Sequence, residues 1–318
     1  MKRWIGLSLC VSLIAVAEGC GAQSGSSAAA VQNSTGTETD RTADAEEVKN
    51  MQERYQTPDG ETGYMYLPLS CTDSGYRTYP LVIMMNGTAQ DPVHDAEGTG
   101  WVSLAGREDI LLLVPEYDDY ATYGNVETLI SVLDYIEETY PVDRTRVYST
   151  GFSNGGAMSV ALAAVYPERF AAVSAYGWMV DMKYEDSLAE QYDMPFQVLQ
   201  GTREYTGTDA ASNPTVMLDE QEAIRSLFLF NEMIAEEDQP DYQKTPYWGY
   251  EPSSSAKTER NGTSITISSY KKEGYQNPFA QLVLIDGEIH RVHSYDAELA
   301  WAFMRKFQRN EDGSISEK

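Results

Sequence analysis

The chain has 318 residues, 42% of them hydrophobic, enough for one large α/β domain with a sizeable buried core. Its formal net charge is −26, with acids spread along the whole length, and such a surface repels phosphate backbones, which argues against nucleic acid as a partner. Of three cysteines only Cys71 lies in the body of the chain, so no internal disulfide is available there, and no Cys/His cluster has metal-ligand spacing.

In chain order, the first twenty residues read as a leader. Lys2 and Arg3 precede an apolar stretch from Ile5 to Ala17, too short to span a bilayer comfortably. Ala17-Glu18-Gly19-Cys20 then resembles a bacterial lipobox, with Cys20 as the lipidated residue; an ordinary cleaved secretory signal is the alternative. Residues 21–54 are Ser/Thr/Gly/Ala-rich and turn acidic, a composition expected of a disordered tether. The expected location is therefore outside the cell, held to the membrane by an N-terminal lipid or secreted.

Strands are predicted at 63–69, 80–86, 110–115, 146–150, 171–177, 196–201 and 280–285, several of them near-continuous apolar runs of the kind covered on both faces. Between them lie helical patterns: Val126, Leu129, Ile130, Leu133 and Ile136 on one face, Ala157, Ala161 and Ala164 on another, and Leu299, Phe303, Met304 and Phe307 as a final core stripe. The alternation predicts a mostly parallel sheet flanked by helices. Residues 205–279 break the rhythm with a helix at about 217–236, an aromatic loop PYWGYEP and a hairpin turning at Asn261-Gly262. The segment reads as a lid-like insertion over the carboxyl edge of the sheet. The domain is expected to span 55–310, with 311–318 a flexible tail.

STGFSNGGAMS, residues 149–159, sits between a strand and a helix of small residues. G-x-S-x-G in that context is the nucleophile elbow of α/β-hydrolases, with Ser153 strained and Gly151 and Gly155 leaving room for it. A serine needs a base, and the chain offers His94, His290 and His293. His290 and His293 both lie in the loop after the last apolar strand; His290 is nearer the strand end and is the expected base, with His293 the alternative. The acid belongs after FQVLQG, which selects Glu204, with Asp209 as alternative. Oxyanion donors are expected from the amides of Asn154 and Thr88. Tyr117, Tyr120 and Trp248, with Tyr123, Tyr247 and Tyr250, are candidates for an aromatic substrate surface, packing being the competing role for about half of them.

The block DRTRVYSTGFSNGGAMSVALAAVYPERFAAVSAYG resembles secreted poly(3-hydroxybutyrate) depolymerase-like and feruloyl esterase-like α/β-hydrolases. NGTAQ (86–90) is similar to their HGCxQ segment, GTRE (201–204) falls where they carry G-x-x-D, and His290 to Trp301 resembles their histidine loop and helix. Asn86 stands in place of histidine, Thr88 of cysteine and Glu204 of aspartate, and the G-G-H at the base is absent. The resemblance implies an α/β-hydrolase fold and a serine esterase without a cofactor, acting on small-molecule, polysaccharide-linked feruloyl or acetyl, or short polyester substrates. A prolyl-oligopeptidase-like peptidase and a non-catalytic binding lipoprotein are the rival expectations.

Overall fold

All seven predicted strands enter one ten-stranded sheet in the computed structural model, which describes residues 50–72, 77–117, 123–177, 192–204 and 218–318. The strands are β1 (Asn50–Gln56), β2 (Thr62–Pro68), β3 (Tyr79–Met85), β4 (Leu111–Pro115), β5 (Val142–Phe152), β6 (Ala172–Tyr176), β7 (Phe196–Gly201), β8 (Ser254–Arg260), β9 (Thr263–Tyr270) and β10 (Ala280–Ile285). Their spatial order is β1-β2-β4-β3-β5-β6-β7-β10-β9-β8. From β4 to β10 every pairing is parallel; β1, β2, β9 and β8 extend the two edges antiparallel. Helices α1 (Pro92–Gly98), α2 (Trp101–Glu108), α3 (Tyr123–Thr139), α4 (Asn154–Val165), α5 (Leu218–Phe230) and α6 (Asp296–Met304) complete the α/β-hydrolase architecture.

Successive strand residues point to opposite faces, and both faces are dry. Leu81, Ile83 and Met85 of β3 pack with α3, α4 and α5, while Val82 and Met84 pack with α2 and α6. The same alternation runs through β4, with Leu111 and Leu113 on one side and Leu112 and Val114 on the other.

The ordered ends reach further than composition suggests. β1 starts at Asn50, inside the segment expected to be tether, because its backbone pairs along β2 although only Tyr55 of its side chains is buried. At the other end, β11 (Phe307–Arg309) pairs with β12 (Ile315–Glu317), so the expected flexible tail is a hairpin. Buried Arg309 holds it, donating to the carbonyls of Phe170 (2.9 Å), Gly313 (2.6 Å) and Asp193 (2.7 Å). The final helix accordingly stops at Met304, and Phe307 reaches the core from a strand.

The described part of the 205–279 insertion also differs from expectation. β8 and β9 turn at Asn261-Gly262, both at positive φ (50° and 78°), and widen the sheet beyond β10. Helix α5 lies on one face, with Ala223, Ile224, Leu227 and Phe228 in the main core.

Candidate active site

β5 ends at Phe152 and α4 begins at Asn154, leaving Ser153 alone on the turn at φ 55°, ψ −118°. That region is nearly closed to residues with a Cβ, so the conformation must be imposed by its surroundings. The Ser153 amide donates to the Tyr176 carbonyl at 2.7 Å, fixing the elbow to the end of β6. A Cβ at Gly151 would lie 2.3 Å from the Gly155 carbonyl oxygen, and one at Gly155 would lie 2.1 Å from that of Met85. The two glycines are thus demanded by the backbone, and G-x-S-x-G forms a tight strand–turn–helix with Ser153 at its apex.

Glu204 and His290 meet one another at the same end of the sheet. Glu204 follows β7 with its carboxylate fully buried; Oε2 accepts the Gly201 amide at 2.8 Å, and Oε1 bonds Nδ1 of His290. Burial pushes the Glu204 carboxyl up, and the His290 contact opposes it. The His290 ring stacks on Phe152, centroids 4.6 Å apart, which sets it directly over the residue before Ser153. Gly177, at φ 81° after β6, leaves the space for this pair: a Cβ there would stand 2.5 Å from Glu204 Oε1 and 2.8 Å from His290 Cε1.

On the other flank, the loop after β3 crosses the elbow. A Cβ on Gly87 would come within 3.5 Å of Ser153 Cβ. The Asn154 side chain donates to the Thr88 hydroxyl at 3.0 Å, tying the two expected oxyanion residues together, and Asn154 opens α4, whose amides point toward the site. Asn86 donates to the carbonyls of Gly87 (2.9 Å) and Gln90 (3.1 Å), so it shapes the loop from within. Asp95 of α1 is buried and accepts the Gly87 amide at 2.8 Å. Desolvation raises its carboxyl above the usual range, with that amide the principal opposing influence. Nothing in the residue pattern singled out Asp95 or Phe152, because their roles depend on which way a helix face and a strand end point.

The remaining candidates separate clearly. His293, the alternative base, is buried under the site instead of exposed in its loop, and its ring is engaged by Tyr176, Asp296 and Glu288. His94 is exposed on α1. Tyr117 is half-buried and donates to the Asn86 carbonyl at 3.3 Å, beside the oxyanion loop. Trp248 is a correction: it is 1% exposed and packed between Phe196, Phe228 and Tyr270, so it presents no surface to a substrate. Phe196 opens β7 and Tyr270 lies opposite Ala280 at the start of β10, the end of the sheet away from Glu204. Tyr247 and Tyr250 are half-buried against the same core. Asp209, Tyr120 and Cys20 lie outside the described residues, as does the Tyr123 side chain. Among the described residues no group of His, Cys, Asp and Glu is arranged to hold a metal ion.

Residues 116–229 match the model of the prolyl oligopeptidase family. A poly(3-hydroxybutyrate) depolymerase of Ralstonia pickettii is 31% identical over 137 residues, 35% of this chain and 28% of that protein. Feruloyl esterase B of Talaromyces funiculosus is 40% identical over 52 residues, 16% of this chain and 15% of that one. This chain therefore spans less than a third of the length of either relative. Among solved structures, an acetyl xylan esterase from Aspergillus awamori shares the fold with a TM-score of 0.53 at 14% identity, over 80% of this chain and 99% of that one. A strained serine elbow on such a sheet gives the chain the α/β-hydrolase fold, and within it residues similar in sequence to a poly(3-hydroxybutyrate) depolymerase and a feruloyl esterase.

Proposed function

We propose that the protein is an extracellular serine esterase that hydrolyses carboxylic esters through an acyl-enzyme. The observation that carries this reading is the joint placement of strained Ser153, the His290 ring over Phe152 and the buried Glu204 carboxylate on Nδ1 of His290. Ser153 Oγ attacks the ester carbonyl while His290 Nε2 takes its proton; the same proton then goes to the departing alcohol oxygen. Glu204 fixes the tautomer that leaves Nε2 free to accept, and stabilises the imidazolium. The amides of Asn154 and Thr88 receive the developing oxyanion. Water, deprotonated by His290, then releases the acid.

The substrates that fit the named relatives are polysaccharide-linked feruloyl or acetyl esters and short polyesters, and Cys20 would hold the enzyme at the cell surface. The purified protein is tested on p-nitrophenyl acetate and butyrate and with a fluorophosphonate probe, beside Ser153→Ala, His290→Ala and His293→Ala. Turnover and labelling that vanish in Ser153→Ala and His290→Ala support the reading; a wild type that neither turns over nor labels sinks it. The match of residues 116–229 to the prolyl oligopeptidase family supports a second reading, a serine peptidase. Cleavage of a proline-containing peptide in preference to methyl ferulate and acetylated xylan would select it.

A further inference from the structure

Behind the triad lies a second, buried set of ionisable side chains that the acyl-transfer steps do not use. His293 is 8% exposed, and its Nδ1 is 3.1 Å from the Tyr176 hydroxyl and 3.5 Å from Asp296 Oδ1. On the other side of the ring, Nε2 is 3.4 Å from Glu288 Oε2. Asp296 also accepts the His293 amide at 2.6 Å, and the Tyr295 ring stacks on the imidazole at 5.1 Å. The groups facing His293 are thus Asp296 from α6, Glu288 and Tyr295 from its own loop, and Tyr176 from β6; Arg291 pairs at 2.6 Å with the same Oε2 of Glu288 that His293 faces. Glu204, from the end of β7, acts on Tyr176 through its charge and is itself pushed up by the charge of Asp296.

The charges decide the protonation state. Burial alone would favour neutral imidazole, yet the carboxylates of Asp296 and then Glu288 prevail and hold His293 above its ordinary value. Nδ1 lies within hydrogen-bond distance of the Tyr176 hydroxyl and Nε2 faces Glu288 at ion-pair distance, a setting in which an imidazolium has a carboxylate toward each nitrogen. Neutral imidazole would leave the Asp296 carboxylate buried with no cation, next to the charge of Glu204.

The network also has a mechanical path to the nucleophile. Tyr176 closes β6, accepts the Ser153 amide on its carbonyl and packs its ring 5.4 Å from that of Phe152, on which His290 stacks. We propose that His293 is a positioning residue: clamped between Asp296 and Glu288, its imidazolium braces Tyr176 and so sets the Ser153 elbow against the His290 ring. Its stabilising contribution is complete below the unfolded value of about 6.5 and is lost as pH rises through the raised folded value. Turnover accordingly falls on the alkaline side when His293 deprotonates.

The kinetic part of the test rests on the esterase reading; the spectroscopic part does not. Imidazole nitrogen NMR of the whole protein should show both nitrogens of His293 protonated at pH 6, with the ring losing its proton above the ordinary imidazole value. The His290 Nδ1 proton should shift as His293 titrates. His293→Gln should lower kcat about tenfold with KM within about twofold, and should lose the alkaline decline. Tyr176→Phe, which keeps the charge and removes the brace, should lower kcat about threefold and flatten the alkaline decline. A neutral His293 at pH 6, or a folded His293→Gln with unaltered kcat and alkaline profile, overturns the proposal. Should His293→Gln not fold, Tyr176→Phe with unchanged kcat and an unresponsive His290 proton overturns it equally. If wild type hydrolyses no ester and takes no probe, the esterase reading fails, and the response of His290 to His293 still decides this one.

Discussion

The two ends of strand β7 present the same sheet in opposite chemical states. At its start, Phe196 is sealed among Phe228, Trp248 and Tyr270, with ring centroids 5.0 to 5.6 Å apart, and its own backbone is paired on both sides. At its other end, on the order of 15 Å away, Gly201 passes the chain to Glu204 and to the half-exposed His290. Rings sealed from solvent fill the first end, and the second holds Ser153 in a strained conformation. Ser153 and Gly177 are both at positive φ at the ends of neighbouring strands, and Gly177 leaves room for the Glu204–His290 pair. The difference teaches that in this fold a cluster of rings is packing until its exposure says otherwise, whereas a costly backbone conformation that buries no extra apolar surface points to chemistry.

The comparison breaks most sharply at the carboxyl end. Ser153→Ala should cost about 10⁴-fold or more in ester turnover and abolish fluorophosphonate labelling, with the melting temperature little changed. Retained turnover would place the nucleophile elsewhere. Gly177→Ala is the more searching variant, since its new Cβ would stand 2.5 Å from Glu204 Oε1 in a backbone region that alanine avoids. Displacing the Glu204–His290 pair by a fraction of an ångström to an ångström should lower kcat about 10²-fold, measured on folded protein. A variant with normal kcat would show that Gly177 merely turns the chain.

At the amino end the expected losses are of stability. Trp248→Ala empties the centre of the aromatic cluster and should destabilise by about 3–5 kcal/mol in denaturant melts. Turnover per folded molecule and KM for methyl ferulate should stay within about twofold of wild type. A raised KM with intact stability would return Trp248 to the substrate surface and erase the distinction between the two ends.

Much of this was legible in the sequence where the signal is local. The central strands announce themselves as apolar runs because both faces are covered, and the elbow because its glycines recur at a fixed spacing about the serine, Gly151 being held against Gly155 itself. The β8–β9 hairpin was readable from Asn261-Gly262, two residues that tolerate positive φ. β1 was missed since NMQERYQ is a polar edge strand, and β11 and β12 are too short for a pattern. The difference between His290 and His293 is three residues in the chain but opposite sides of a loop, and no periodicity reports that. For the same reason PYWGYEP looked like a binding surface: its rings could face either the sheet or the solvent.

The smallest effect concerns the oxyanion flank and joins function to stability with opposite signs. Asp95 accepts the Gly87 amide from a buried position, and burial holds its carboxyl above the usual carboxylate range. The folded state therefore binds this proton more tightly than the unfolded chain. Stability from this group is greatest below the ordinary carboxylate value and declines as pH rises through the raised one. Asp95→Asn keeps an oxygen acceptor for Gly87 but removes the buried charge. Its melting temperature should exceed that of wild type at pH 7, and the two should converge as pH is lowered toward 4. Because an amide holds Gly87 less firmly than a carboxylate, kcat should fall about threefold with KM unchanged, the sign of a donor used in the transition state. Thermal melts between pH 4 and 8, run beside ester kinetics on the same samples, give both readings. A variant that is less stable at pH 7 and fully active would mean that the charge of Asp95 serves the core, and that the loop over Ser153 holds its shape without it.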